Sequence, residues 1–159
     1  MGQFLTPLKM EQLEESTPDS PAKFKLLAPL VYESTSLKQL VVVPEGFVTD
    51  LASVPRLPVV YLVTGGLGNA AACVHDFLYS QPHLPSESAC TPVTRAQADL
   101  VLRGAIIDGM TKNLGFDIAR KTRDLWAAFT DVVKITYYTS IAFAMYYGVR
   151  IGGTSHWKD

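Results

Sequence analysis

Phe24-Lys25-Leu26-Leu27-Ala28-Pro29-Leu30-Val31-Tyr32-Glu33-Ser34-Thr35-Ser36-Leu37-Lys38-Gln39-Leu40-Val41-Val42-Val43 is the stretch on which the fold class turns. Its two apolar, β-branched and aromatic runs, Phe24 to Tyr32 and Leu37 to Val43, flank the turn-forming Glu33-Ser34-Thr35-Ser36, the pattern of a β-hairpin. Pro29 has no amide hydrogen, so the strand holding it is expected at a sheet edge. Pro44-Glu45-Gly46 makes a second turn, after which Phe47-Val48 can add a short third strand leading into Thr49-Asp50. Downstream the period changes. Ala70 to Ser80 reads as a helix opened by the flexible Gly65-Gly66-Leu67-Gly68-Asn69, and Thr94-Arg95-Ala96-Gln97 is a capping box that starts a helix running to about Gly109. A long helical region, Phe116 to about Tyr147, is expected to turn Ile118, Leu125, Phe129, Val132, Val133 and Ile135 to the core and Arg120, Lys121, Arg123 and Asp124 to solvent. The apolar run Leu57 to Val63 is too short to classify by period; a short helix broken near Pro58 and a strand both fit, and the helix is the expectation. The loop Gln81 to Val93, with Pro82, Pro85 and Pro92, is expected to be irregular.

The expected fold is therefore α+β, an N-terminal β-hairpin or small antiparallel sheet packed on three to four helices. Residues 1–22, with Pro7, Pro18, Pro21 and Glu11, Glu14 and Glu15, hold little periodic apolar content and read as a flexible N-terminal arm; residues 23–159 read as a single α+β domain. The chain has 159 residues, of which 48% are hydrophobic and 18% charged, with a formal net charge of −1. That length supports a core without a disulfide or metal staple, and that balance gives no general attraction to nucleic acid, so no direct nucleic-acid binding is expected. Cys73 and Cys90 are too few for a disulfide framework and read as reduced thiols.

The first apolar residues are broken by Pro7, Lys9 and Glu11, which is not the pattern of a secretory signal peptide. Met1-Gly2-Gln3-Phe4-Leu5-Thr6 fits a myristoylation pattern, but six residues with two constraints match by chance often, so an ordinary flexible N-terminus is expected. Ile135 to Val149 is uncharged, yet Lys134 and Arg150 bound it short of the roughly 20 residues that span a bilayer. A buried or interfacial helix is expected there, with homo-oligomers or other partner proteins as its contacts.

Two segments concentrate the polar chemistry. His75-Asp76 on a helix offers an imidazole able to act as a general base beside a carboxylate, about 100° around the helix, able to bind a hard cation. His75 and Tyr79 share a face at i, i+4, and Asp99 in the second turn of the capped helix could reach inward to orient the imidazole. Thr49, Asp50, Ser53 and Arg56 crowd one loop, and Arg95 stands four residues before Asp99; together these form a candidate substrate-binding or structural polar cluster. The bland alternatives are a hydrogen-bonded core histidine, a turn capped by Asp50 and Ser53 with Arg56 paired to Asp50 or Asp76, and a surface Arg95–Asp99 pair. His83 and His156 lack ligand-like spacing to His75, so no zinc site is expected.

Gly46-Phe47-Val48-Thr49-Asp50-Leu51-Ala52-Ser53-Val54-Pro55-Arg56, Ala71-Ala72-Cys73-Val74-His75-Asp76-Phe77-Leu78-Tyr79 and Arg95-Ala96-Gln97-Ala98-Asp99 resemble, in order and spacing, a family of small proteins of unknown function found in tailed bacteriophages and prophages. The resemblance covers about Phe24 to Gly109. It implies a phage origin; the virion or the host bacterial cytoplasm is then the expected location, and other virion proteins are the expected contacts of the apolar C-terminal helix. It carries no established activity.

Ala72 to Tyr79 with Ala98-Asp99 also resembles the active-site helices of phospholipases A2. That likeness implies His75 as the base that activates water, Asp76 as a calcium ligand, Asp99 as the orienter and Tyr79 as its hydrogen-bonding support. The glycines stand closer to the histidine here than in that family, and the preceding β-hairpin is foreign to it. Two functional expectations result: a His-Asp hydrolase acting on host envelope lipid or peptidoglycan, or a non-catalytic tail, connector or ejection-associated virion component. An inhibitor of a host defence is a third, for which no residue speaks.

Overall fold

The computed structural model describes residues 2–17, 20–51, 67–85, 90–113 and 125–152. Among them the chain forms an α+β fold of small antiparallel sheets and three helices. The strands are β1 (Gln3–Phe4), β2 (Met10–Glu14), β3 (Lys23–Leu26), β4 (Leu30–Ser34), β5 (Gln39–Val43) and β6 (Val48–Thr49), followed by helix α1 (Leu67–Ser80). After it come β7 (His83–Pro85), β8 (Cys90–Pro92), α2 (Arg95–Asn113) and α3 (Leu125–Gly152). One sheet has the order β1-β4-β5, a second β2-β3-β6, and β7 pairs with β8 alone.

The expected hairpin is β4–β5, in register from Leu30 opposite Val43 to Ser34 opposite Gln39. Its turn falls two residues later than the composition suggests. Ser34 still ends the strand, its Oγ accepting from the Leu37 amide at 3.2 Å, and Lys38 takes the left-handed conformation (φ 55°) that returns the chain. Phe24 to Tyr32 is not one strand. The chain breaks at Leu27–Pro29, so β3 joins one sheet and β4 the other, and β6 pairs with β3 instead of extending the hairpin.

Residues expected as an arm supply two strands: β1 lies against β4 and β2 against β3. Phe4, Leu8 and Met10 pack against the core, and the Phe4 and Tyr32 rings stand 4.8 Å apart. Single apolar residues anchored by sheet pairing give no periodic signal, which is why the segment reads as an extension. The proline-rich loop after α1 is likewise more ordered than expected, because β7 and β8 pair from His83 opposite Pro92 to Pro85 opposite Cys90. Prolines in a two-stranded ribbon can sit where no ladder donor is required.

Alternation in the hairpin buries Leu30, Tyr32, Val41 and Val43 and leaves Leu40 and Val42 outside. Ala71, Val74 and Leu78 of α1 and Val101, Leu102, Ala105 and Ile106 of α2 complete the same core. α1 packs on α2, and both meet β4. Across that layer Tyr32 donates its hydroxyl hydrogen to Asp108 Oδ2 at 2.8 Å.

α3 packs on α2 through Ala142 and Met145, with Tyr138, Ile141 and Val149 partly buried beside them. The expected inner face of this helix is corrected: Val132 and Val133 are 60% and 50% exposed. The uncharged run between Lys134 and Arg150 has no period from which to choose a face, so packing on α2 chose it. Ile118, Leu125, Phe129 and the charged residues expected outside lie beyond the described side chains, as does the run Leu57 to Val63. No helix among the described residues is long and apolar enough to cross a membrane.

Candidate functional site

α1 is helical because Ala70-Ala71-Ala72 favours the helix and Ala71, Val74 and Leu78 face the core at helical spacing. That register turns His75 inward as well, only 1% exposed, and sets its ring against Tyr79 with centroids 4.1 Å apart and planes tilted by 40°. α2 begins at the expected capping box. The Thr94 amide donates to Gln97 Oε1 at 2.8 Å, and Thr94 Oγ1 accepts from the Gln97 amide at 3.3 Å. One turn on, Asp99 is fully buried and faces α1.

The two helices meet at that carboxylate. His75 Nε2 lies 3.0 Å from Asp99 Oδ1, and the Tyr79 hydroxyl donates to the same oxygen at 2.6 Å. An ionised carboxylate can only accept, so Nε2 carries the hydrogen and Nδ1 is the titrating nitrogen. Nδ1 in turn faces Asp76 Oδ1 at 3.9 Å. Asp99 Oδ2 accepts from Arg150 Nη1 at 3.2 Å, bringing a cation from α3 to the buried acid.

Arg95 is neither a partner of Asp99 nor a simple surface residue. Its Nε donates to the Tyr79 hydroxyl at 3.2 Å, and its Nη2 donates to the carbonyls of Val149 and Arg150 at 2.8 and 2.7 Å. Those carbonyls belong to the last turn of α3, where no intrahelical donor is left. Arg95 therefore clasps the end of α3 while supporting Tyr79.

Charge and burial compete at His75. Burial disfavours the imidazolium, but hydrogen bonds to Asp76 and Asp99 and their negative charge outweigh it and raise the pKa above the usual 6.5. For Asp99, burial pushes upward; hydrogen bonds from His75, Tyr79 and Arg150 prevail and hold it below the usual 3.8. Burial and the bond to Asp99 push Tyr79 up to about 12, against the opposing influence of Arg95, so its hydroxyl stays a donor. Burial and the Asp76 charge push Cys73 up to about 12, which removes it as a nucleophile at neutral pH.

The loop after β6 joins the site through Thr49. Buried, it donates from Oγ1 to Asp76 Oδ2 at 2.5 Å and accepts at the same atom from the Leu51 amide at 3.0 Å. Leu51 has φ 52°, a left-handed conformation that a leucine adopts only where its surroundings compel it. Asp50 is half-buried. Ser53 and Arg56, and with them the expected Asp50–Arg56 pair, lie outside the described residues.

So His75, Tyr79, Asp99 and Arg95 form one connected network, with Asp76 and Thr49 on its other side. Arg150 was missed. Its only sequence signal is that it ends a long uncharged run, and that reads first as a helix boundary. Among the described residues no group of three or more His, Cys, Asp or Glu could hold a metal ion. Calcium takes six to eight oxygens, so an ion at Asp76 would need backbone carbonyls or waters beside the carboxylate.

No curated protein and no solved structure gives a significant match to the chain. A family model matches residues 24–115, which hold β3 but for Lys23, β4 to β8, α1, the whole of α2 and every polar residue of the network except Arg150. The chain belongs to that family, described as a protein of unknown function (DUF1353).

Proposed function

We propose that the protein is bacteriophage-encoded and that His75 is the general base of a hydrolase-like site, oriented by Asp99 and acting on host envelope lipid or peptidoglycan. One observation carries the reading: His75 Nε2 lies 3.0 Å from an oxygen of a fully buried carboxylate, itself held by Tyr79 and Arg150. A base needs its ring held in one tautomer with the other nitrogen basic, and Asp99 does that. In the reaction, Nδ1 takes a proton from water as the water oxygen attacks the carbonyl carbon, and the proton then passes to the departing oxygen or nitrogen. Asp76 is the residue that would take calcium in a phospholipase-like version, but the base–orienter pair does not require the ion. The protein acts from the virion or in the host cytoplasm.

A second reading rests on a different observation. His75 and Asp99 are 1% and 0% exposed, and their network ties α1, α2 and α3 together. Such a network suits a non-catalytic tail, connector or ejection-associated component whose polar centre specifies the packing. The test is hydrolysis of phospholipid vesicles and of peptidoglycan by the wild type and His75→Asn. Under the first reading turnover falls by about 10²–10⁴-fold while the variant stays folded. No wild-type turnover on either polymer, with His75→Asn destabilised by about 1–3 kcal/mol, leaves the virion-component reading.

A further inference from the structure

The face of α3 turned away from α2 is apolar. Val133, Tyr137, Tyr147 and Ile151 are 50%, 44%, 57% and 81% exposed, and Ser140 and Ala144 are exposed between them. At 100° per residue these six positions stay within about 40° of one line along the helix, over about 27 Å. The inner residues Ala142 and Met145 lie on the opposite side. Ser140 Oγ donates back to the Thr136 carbonyl at 2.8 Å, and Thr136 Oγ1 to the Val132 carbonyl at 2.9 Å. Ser140 thus has its donor satisfied within its own helix, and the polar groups the stripe still offers to water are the hydroxyls of Tyr137 and Tyr147.

The stripe reads the same in both directions. Around residue 142 it runs Val133, Tyr137, Ser140, then Ala144, Tyr147, Ile151: aliphatic, aromatic, small, small, aromatic, aliphatic. The spacings are four, three, four, three and four residues. That order is self-complementary for one arrangement, two antiparallel copies of the same helix about a twofold axis. In such an isologous pair Val133 meets Ile151 of the second copy, Tyr137 meets Tyr147, and Ser140 meets Ala144. The small residues fall at the crossing, where the backbones approach most closely, and the larger ones fill the widening space on either side. Lys134 and Arg150 flank the stripe about 100° to either side, so an antiparallel pair leaves them on opposite edges of the interface.

We infer that α3 is the interface of a homodimer, formed by antiparallel packing of its outer stripe on that of a second copy. An unrelated partner protein would need no internal symmetry in the stripe. A lipid surface would need none either, nor the small residues at its centre.

Sedimentation equilibrium and cysteine cross-linking of the full chain test this. The wild type should sediment as a dimer, and Ala144→Glu, which places a charge at the crossing, should raise the dimer dissociation constant by about 100-fold or more. Tyr147→Lys should do the same, so either variant serves if the other loses its helical circular dichroism. In a Cys90→Ser background, Tyr137→Cys mixed with Tyr147→Cys should cross-link between chains. Tyr137→Cys alone should not, because antiparallel copies hold the two residues about 15 Å apart along the axis. A wild type that is monomeric at about 100 μM overturns the inference. So does self-cross-linking of Tyr137→Cys, the mark of a parallel pair, or monomeric binding to phosphatidylethanolamine–phosphatidylglycerol vesicles.

Discussion

Arg150 Nη1 donates to Asp99 Oδ2 at 3.2 Å across 51 residues of chain, so the acid that holds the histidine is itself held by a cation from the far end of α3. Asp99 is fully buried, whereas the Arg150 side chain is 39% exposed. Removing the arginine strips a buried carboxylate of one partner while His75 and Tyr79 remain. Solvent screening of the exposed guanidinium reduces the loss, so Arg150→Met should destabilise by about 1–2 kcal/mol in urea unfolding. An unchanged midpoint would mean that the pair contributes nothing to stability.

Asp99→Asn separates the orienting role from the packing role. The amide keeps the shape but loses the charge that favours the imidazolium, so the His75 pKa, raised above 6.5 in the wild type, should move down. Imidazole resonances followed by NMR across the titration read this directly. A His75 titration unaltered by the substitution would show that Asp76 alone sets it.

The paired shifts bound the pH window of greatest stability. His75 is raised in the fold, so its contribution is complete below the unfolded value near 6.5 and is lost as pH rises through the folded pKa. Asp99 is lowered, so its contribution is complete above the unfolded value of 3.8 and is lost as pH falls through the folded pKa. Stability from this pair should therefore be highest between about pH 4 and 6.5. Denaturation midpoints measured from pH 3 to 9 for wild type and His75→Asn test it, and the variant should lose the alkaline decline.

Gly2→Ala should destabilise the sheet–helix junction. A Cβ there would overlap the Glu33 carbonyl oxygen and stand 2.7 Å from Asp108 Oδ2 and 2.8 Å from the Tyr32 hydroxyl. The carbonyl is backbone within β4 and cannot swing aside. The clash should displace β1 or break the Tyr32–Asp108 bond, costing about 1–3 kcal/mol in chemical unfolding. A neutral result would mean that β1 detaches without loss.

Local chemistry in the sequence sufficed for the β4–β5 hairpin, the helix around His75 and the capping box at Thr94 that fixes Asp99 in the second turn of α2. Each depends on turn residues, caps or one-face spacing within a few residues, and such signals survive without knowledge of the rest of the chain. Four other features came only from the tertiary structure: the split of Phe24 to Tyr32 between two sheets, the pairing of residues 3–4 and 10–14, the role of Arg150 and the inner face of α3. Strand partners and the cation for a buried carboxylate are chosen by contacts between distant residues. On a helix apolar all round, the sequence offers both faces equally; the core of α2 selected Ala142 and Met145 because small and flexible side chains let two helices approach, and that left Val133, Tyr137, Tyr147 and Ile151 outside.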